Sequence, residues 1–454
     1  MKSKQKFLLI NCRLMLLLTL MGISTALAAK EGAATAIAGR TPVVHAASAD
    51  RGAPLGLASA VAIALQGNPG LAVIEARVAA LEQVPGQKGT LPDPRLLFNV
   101  MNLPVDTFSL SQEAMTQVQI GITQMLPFPG KLALQEEIAA FKAAAASNEV
   151  DEMRLRLARD VKTLWWTLFY LDRSLEIVQR NQALLRQLVT IALTKYKVGK
   201  GLQQDVLLAQ VELSKLLDKE IALKGARRSW AARLNALLGQ AVNRPVLLPE
   251  KVKESLPHPL AEAQLYRLAD ASRPLFSALD KRIAAARGRL DLARKDYYPD
   301  FRLGAAYGFR RGVNPDGNNR ADFSTFMFSM NLPIHTASRL DKKVDQRTSE
   351  LDRERYALTD ERSRVEAAIS MALADYERAR GQVGLFRDGI IPQATQTVAS
   401  MRAGYQVNKV DFLNLVRAQI TLFNYETQYW KALSEANQAL ARLTAAVGKE
   451  TVYE

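Results

Sequence analysis

The chain carries the string Tyr196-Lys197-Val198-Gly199-Lys200 and, 209 positions later, its variant Tyr405-Gln406-Val407-Asn408-Lys409. The pair Ala209-Gln210 recurs at the same spacing as Ala418-Gln419. Other strings recur in the same order at offsets of 205 to 208: Asn68-Pro69 with Arg273-Pro274, Pro92-Asp93-Pro94-Arg95-Leu96 with Pro299-Asp300-Phe301-Arg302-Leu303, Leu126-Pro127-Phe128 with Leu332-Pro333-Ile334, and Lys131-Leu132 with Arg339-Leu340. Matching strings that recur in the same order at a nearly constant offset indicate a duplicated unit of about 200 residues.

Long helical patterns flank the repeated turns. From about Lys131 to Tyr196 there is no Pro or Gly, so one helix of about 100 Å is predicted there. After the turn at Gly199, a returning helix is expected to end near Leu238. The second copy repeats the pattern from about Ala337 to Tyr405, with possible kinks at Gly381, Gly384 and Pro392, and from Asp411 to about Val447. Leading amphipathic helices are predicted from about Leu55 to Leu81 and from Pro274 to Lys295.

Between the leading helix and the long helix of each copy, apolar residues recur at every second position. In the second copy they are Phe301, Leu303, Ala305, Tyr307 and Phe309, followed by Phe326, Phe328, Met330 and Leu332. In the first copy they are Val118, Ile120 and Ile122, after a less regular strand that begins near Arg95. This period predicts two β-hairpins with one apolar face. The polar side chains expected on the other face are Gln119, Thr123, Ser329 and Asn331.

The N-terminus has the features of a signal peptide. Three lysines precede an apolar run, and Ala26-Leu27-Ala28 supplies small residues for cleavage. The predicted organisation is a signal peptide at 1–28, a flexible segment at 29–54, a first repeat at 55–242, a proline-containing linker at 243–259, a second repeat at 260–448 and a tail at 449–454.

Composition excludes several functional classes. With one Cys (Cys12) and three His in 454 residues, no disulfide framework, thiolate metal site or bound cofactor is expected. No catalytic motif is present, so the chain is not expected to be an enzyme. The net charge is +15, but Lys and Arg alternate with acids along helices, which favours solvated helix faces over nucleic-acid binding. Trp165, Trp166, Phe169 and Tyr170 are interpreted as packing between helices.

Four amphipathic strands cannot close a barrel alone, because open edges in lipid leave backbone groups unsatisfied. Either the hairpins are soluble, as in a periplasmic helical adaptor or scaffold, or several chains share one membrane barrel. The export signal and the aromatic residues at the strand ends favour the shared barrel. The fold class predicted is therefore mainly α with a small β part, in which duplicated helical hairpins form a tube and four strands per chain enter a common barrel.

The doubled Tyr-x-Val turns, the Ala-Gln pairs and the string Gln124-Met125-Leu126-Pro127-Phe128-Pro129-Gly130-Lys131-Leu132 resemble the TolC-like outer-membrane efflux family. The likeness extends from about Gly56 to Gly448, and the Pro-Phe-Pro-Gly-Lys part is similar to the heavy-metal branch of the CzcC and CusC type. The resemblance implies a homotrimer in outer-membrane lipid, with a twelve-stranded barrel and a twelve-helix periplasmic tube. It also implies a periplasmic adaptor, an inner-membrane pump of the resistance-nodulation-division class, and export of heavy-metal cations, with organic drugs as the alternative cargo.

In this family the two helix turns form the periplasmic tip, where the tube narrows and the adaptor binds. The resemblance therefore implies a docking tip made of Tyr196, Gly199, Lys200, Tyr405, Asn408 and Lys409. It implies a pore gate at Asp205, with Asn414 at the matching position of the second copy and Arg417 as a candidate latch. Two alternatives stay open: Asp205 only complements the dipole of its helix, and Asp411 is only a helix cap.

Overall fold

A computed structural model describes residues 54–407 and 409–453. The predicted signal peptide 1–28, residues 29–53 of the predicted flexible segment, Asn408 and Glu454 lie outside the described residues. Helices α1 to α5 span Leu57–Gly67, Pro69–Glu82, Val84–Gly89, Lys131–Lys197 and Gln203–Leu237. Helices α6 to α10 span Glu262–Ser272, Pro274–Lys295, Asp341–Leu385, Ile391–Gln406 and Phe412–Val447. Strands β1 to β4 span Arg95–Met101, Gln117–Leu126, Phe301–Arg310 and Phe323–Met330.

The same order of elements occurs twice. Short helices lead into a β-hairpin, a long helix follows, and a second long helix returns. The prediction of a mainly α chain with four strands is confirmed. Helix α4 alone has 67 residues, and it is continuous because no Gly or Pro interrupts it before Val198.

Each leading helix is broken at its proline. The expectation of one helix from Leu55 to Leu81 is wrong, since α1 ends at Gly67 and α2 begins at Pro69. The reason is steric: a proline disfavours the helical conformation in the residue before it, and Asn68 is extended, with ψ 117°. Its side chain accepts a hydrogen bond from the Leu71 amide at 3.0 Å and donates to the Leu237 carbonyl at 2.9 Å. The break therefore also anchors the leading helices to the end of α5.

The long helix of the second copy is interrupted by one π-helical turn. This turn, Phe386–Ile390, joins α8 to α9 and ends just before Pro392. Proline has no amide hydrogen to give the carbonyl four residues earlier, and a wider turn accommodates that missing bond. Of the three kink positions predicted, Gly384 lies two residues before this turn and Pro392 two residues after it. A second π-helical turn, Thr336–Leu340, precedes α8.

The four strands form one antiparallel sheet in the order β1-β2-β3-β4. Strand β2 pairs with β3, so the hairpins of the two copies lie side by side. Strands β1 and β4 are its edges. The register aligns Phe98 with Ile120, and Ile120 with Tyr307, which places the predicted apolar residues on one face.

The helices pack around an aromatic cluster near their middle. Trp165, Trp166 and Phe169 of α4 are almost fully buried, and Phe169 lies 5.8 Å from the ring of Trp430 on α10. The interpretation of these aromatics as packing residues is confirmed. The segment 243–259 contains no helix or strand and packs against this region; the Pro257 carbonyl, for example, accepts a hydrogen bond from the Tyr376 hydroxyl at 2.7 Å.

In the part of the chain that the structure describes, no single helix has both the length and the apolar character to cross a membrane. The bent pair Leu57–Gly67 and Pro69–Gly89, with an angle of 43°, meets the requirement by length and composition only.

Candidate functional site

Two turns connect the long helices at the end opposite the sheet. The first turn, residues 198–202, joins α4 to α5, and the second turn, residues 407–411, joins α9 to α10. In the first turn Gly199 has φ +69° and its amide donates to the Tyr196 carbonyl at 3.0 Å. The left-handed conformation is reached by Gly without strain, which explains why a helix of 67 residues can reverse direction here.

Lys195, near the end of α4, binds Tyr405, which lies at the end of α9 just before the second turn. Its ammonium group donates to the Tyr405 carbonyl at 2.9 Å and lies 3.9 Å from the centre of the Tyr405 ring. The Tyr405 ring in turn contacts Phe412 of α10, with ring centres 5.4 Å apart. Behind this contact, a small apolar core of leucines, valines and alanines from α4, α5 and α10, to which α9 adds Tyr405 itself, holds the turns together. We call the contact between Lys195 and Tyr405 the tip clasp.

Asp205 lies in the first turn of α5, next to the tip clasp. It is half-buried, and burial together with the negative charge of Asp411 raises the pKa of its carboxyl above the ordinary value. A backbone hydrogen bond from Leu202 and the charge of Lys195 oppose that shift without cancelling it. Desolvation thus outweighs the stabilising contacts that Leu202 and Lys195 offer the ionised carboxylate. Asp205 and Asp411 come from different copies of the repeat, so the structure brings together carboxylates that are far apart in sequence.

The other predicted gate residues lie on the solvent side of α10. Asn414 and Arg417 are exposed, and Arg417 forms no ion pair with any residue that the structure describes. The suggested latch between Arg417 and Asp205 is therefore not formed within the described chain. The cation that acts near Asp205 is Lys195.

The predicted docking residues divide into an exposed group and a buried one. Tyr196, Gly199, Lys200 and Lys409 are exposed, with Tyr196 at 45%. Its counterpart Tyr405 is 7% exposed and packs beneath Lys195, so it supports the turn from within. Asn408 lies outside the described residues.

Sequence reasoning missed Lys195 as the partner of Tyr405. The two copies differ at this position, where Lys195 of the first corresponds to Gly404 of the second. A difference between otherwise matched strings was the available signal, because a long side chain present in only one copy can bridge to the other.

The sheet has two chemically distinct faces. On one, large apolar side chains are exposed, including Phe98, Phe326 and Phe328 at 68%, 85% and 61%. The opposite face carries Gln119, Thr123 and Ser329 together with glycines. A Cβ at Gly121 would lie 2.8 Å from that of Ala306, and one at Gly304 would lie 2.8 Å from a methyl of Thr123. Any side chain larger than Gly at these two positions would therefore collide with a residue on the neighbouring strand. Asn331 lies beyond β4, and its side chain accepts a hydrogen bond from the Asp300 amide.

The strand-to-helix connection after β2 is held by a buried ion pair. The ammonium of Lys131 lies 2.9 Å from Asp300 and 3.2 Å from Asp296, and Lys131 is almost fully buried. The Asp300 carboxylate also accepts from the Phe128 amide at 2.8 Å, while the Phe128 ring stacks on Tyr298 at 4.5 Å. We call this set of contacts the internal junction, since it joins the end of β2 in the first copy to the start of β3 in the second.

No group of three or more His, Cys, Asp or Glu side chains that could hold a metal ion occurs within residues 54–407 and 409–453. Polar groups converge at the two turns and at the internal junction, among other places.

Comparison with known proteins gives a consistent family. Over 317 residues, 66% of this chain and 68% of the relative, the sequence is 26% identical to "Outer membrane efflux protein BepC" of Brucella suis biovar 1. It is 28% identical over 255 residues to "Toluene efflux pump outer membrane protein TtgF" of Pseudomonas putida, covering 54% of this chain and 52% of that one. The crystal structure of VceC from Vibrio cholerae superimposes with a TM-score of 0.72 at 18% identity, covering 87% and 96% of the two chains.

The profile of one family, described as "Outer membrane efflux protein", matches residues 60–240 and 265–449. The two matched segments cover most of the chain and correspond to the two copies of the repeat. Proteins of this family are outer-membrane channels, so the expected location is confirmed, as is the expectation that the chain is not an enzyme. The finer expectation of a heavy-metal branch is not confirmed by these relatives. By this match, the chain belongs to the outer membrane efflux protein family.

Proposed function

We propose that the chain is the exit duct of a tripartite efflux pump. Three copies share one barrel in the outer membrane, and their long helices form a tube in the periplasm. The tube meets a periplasmic adaptor and an inner-membrane pump of the resistance-nodulation-division class. The observation that carries this proposal is the sheet, which has one exposed apolar face, one small and polar face, and two unpaired edges.

The alternative is a periplasmic scaffold whose hairpins remain in water. A contiguous exposed apolar face of this kind is costly in water and marks a surface that meets lipid or another protein. Lipid on the apolar face and an aqueous lumen on the glycine-rich face suit both sides of the sheet at once. The observation therefore favours the duct over the scaffold.

For the tip we propose two roles. Asp205 lines the narrowest part of the tube, with Asn414 and Arg417 nearby on the second hairpin. The exposed residues Tyr196, Gly199, Lys200 and Lys409, together with Asn408, meet the adaptor. Tyr405 is assigned a supporting role because it is buried beneath Lys195.

For the cargo we propose toxic small molecules, in two candidate classes. Heavy-metal cations are supported by the resemblance of the Pro127-Phe128-Pro129-Gly130-Lys131 string to the metal-efflux branch. Organic compounds are supported by the similarity to a relative whose name describes a toluene efflux pump. Deleting the gene and measuring tolerance to Cd²⁺, Zn²⁺, Cu⁺ and toluene separates the classes, since only tolerance to the exported class should fall and be restored by the wild-type gene.

The duct itself is tested by the mass of the mature protein in detergent and by its conductance in planar bilayers. We expect a trimer that conducts ions. A monomer that forms no channel would overturn the proposal and favour the scaffold.

A further inference from the structure

We propose that, within the shared barrel of the proposed duct, Arg339 of one copy forms an ion pair with Asp93 of the next, at a seam where β4 of the first copy meets β1 of the second in one fixed register. The inference rests on the proposed function, which supplies the second copy. It specifies which residues meet, and it is derived from the internal junction between the two repeats.

The internal junction is the template. Lys131, just after β2, pairs with Asp300, just before β3, and the Phe128 ring stacks on Tyr298 beside them. The repeat supplies a second set of the same positions. Lys131 corresponds to Arg339 and Phe128 to Ile334, while Asp300 corresponds to Asp93 and Tyr298 to Leu91. Charge and apolar character are kept at every one of these positions.

Within one chain, this second set finds no partner among the residues that the structure describes. Asp93 and Arg339 are exposed, and neither forms an ion pair with a residue that the structure describes. Leu91 and Ile334 are 50% and 73% exposed, although their counterparts Tyr298 and Phe128 stack on each other. They flank the two free edges of the sheet, because Asp93 precedes β1 and Arg339 follows β4. A second copy placed edge to edge supplies each of them with the partner that the template predicts.

The repeat also fixes the register. Strand β3 corresponds to β1 at an offset of 207, and β2 corresponds to β4 at 206, as judged from the strings that flank the strands. Applied to the pair Ile122 and Ala305, these offsets place Phe328 opposite Phe98 of the second copy. They likewise place Ser329 opposite Leu97 on the inner face.

The transferred register brings apolar residues onto apolar residues, although the offsets come from flanking strings alone. Phe326 meets Val100, Phe328 meets Phe98, and Met330 meets Leu96. A slip by one residue would set this apolar row against the inner face, which carries glycine and polar side chains. The two edges are therefore complementary in one register.

The contact between copies is expected to be weaker than the internal junction. Lys131 has a second carboxylate partner in Asp296, but the counterpart of Asp296 is Gly89. Arg339 is therefore left with one carboxylate. We expect the copies to separate before the internal junction opens.

The first test is a disulfide between copies. Directly opposite residues of antiparallel strands have Cα atoms about 4.5–5.5 Å apart, which suits a disulfide. Because the sole cysteine, Cys12, lies in the predicted signal peptide, the double variant Leu97→Cys, Ser329→Cys introduces the reactive pair. The matched control is Met101→Cys, Ser329→Cys, which keeps the same face but shifts the partner by about 14 Å along the strand.

After oxidation of the detergent-purified full chain, we expect covalently linked chains in the first variant at no less than tenfold the level of the control. Trimers that link only through the Met101 control, or not at all, overturn the register and leave the proposed duct intact. A wild-type chain that is monomeric in detergent overturns both.

The second test exchanges charges. Asp93→Arg and Arg339→Asp should each lower the fraction of trimer that survives mild heating, and the double exchange should restore it. Asp106→Arg, in the exposed loop between β1 and β2, is the control and should change nothing. If the double exchange is no better than the singles, the ion pair between Arg339 and Asp93 is excluded.

Discussion

Replacing Lys195 by Met should open the periplasmic end of the duct. The substitution keeps a side chain of similar length but removes the ammonium group that donates to the Tyr405 carbonyl at 2.9 Å and lies 3.9 Å from its ring centre. We predict that this contact holds the second turn against the first hairpin in the closed tip and is lost when the turns separate.

The magnitude follows from the two interactions. A hydrogen bond to a charged donor contributes about 1.5–3 kcal/mol and a cation–π contact at an exposed site about 0.5–1 kcal/mol. Lys195 is half-buried, so solvent screening reduces the sum to about 2 kcal/mol. Since about 1.4 kcal/mol is a factor of ten, the ratio of open to closed channels should rise about 25-fold.

The assay is single-channel recording in planar bilayers. Lys197→Met is the matched control, because it removes the same charge from an exposed position on the last turn of the same helix. Tyr405→Phe should behave like wild type, since the carbonyl and the ring are both retained, whereas Tyr405→Leu should reproduce part of the Lys195 effect. Equal open probabilities for Lys195→Met and Lys197→Met would refute the tip clasp as a closing contact.

Three further expectations concern single residues. Asp205→Ala should weaken block by a polyvalent cation about tenfold if the carboxylates of several copies line one ring, and unchanged block would leave Asp205 as a helix-dipole residue. Because the pKa of Asp205 is raised in the folded protein, the ionised carboxylate lowers the stability of the fold at pH values above that pKa. In thermal melts Asp205→Asn should therefore be more stable than wild type at pH 7 and lose this advantage below about pH 4. Gly199→Val should abolish export but leave trimers and membrane insertion intact, because a valine is strained at φ +69° although its side chain would meet no neighbouring atom. Gly225→Val, in the middle of α5 where a side chain also meets no neighbouring atom, should leave export normal. Lys131→Met should destabilise the detergent-solubilised protein by about 2 kcal/mol because two carboxylates lose a buried cation, and Lys343→Met, which removes a cation whose side chain is 42% exposed, should cost under about 1 kcal/mol in the same thermal melts.

Much of the fold could be predicted because it depends on local rules. The absence of Gly and Pro between Lys131 and Tyr196 predicts a long helix, and alternating apolar residues predict strands, whatever the rest of the chain does. The break at Asn68 could have been predicted too, since a proline follows it, but the amphipathic pattern continues across the break and concealed it.

The contacts between the two copies could not be predicted from one sequence. The tip clasp joins Lys195 to a carbonyl 210 residues away, and the internal junction joins residues separated by 169 positions. The periodicity of the sequence does not predict such contacts, because they depend on how the two copies of the repeat lie against each other. The decisive fact was the pairing of β2 with β3, and once it is known the repeat assigns equivalent positions to every other edge of the sheet.

The Pro127-Phe128-Pro129-Gly130-Lys131 string illustrates how a motif can resemble one branch of a family for reasons of geometry. Phe128 stacks on Tyr298, Lys131 is buried against two carboxylates, and between them Gly130 adopts φ +84° to begin a helix of 67 residues. Each of these residues stabilises the connection between strand β2 and helix α4, where the chain passes from the sheet to the tube. A channel needs that turn whichever compound passes through it, so the string supports the duct architecture directly. Cargo is better inferred from residues that we propose to face the lumen, such as Asp205 and the polar side of the sheet.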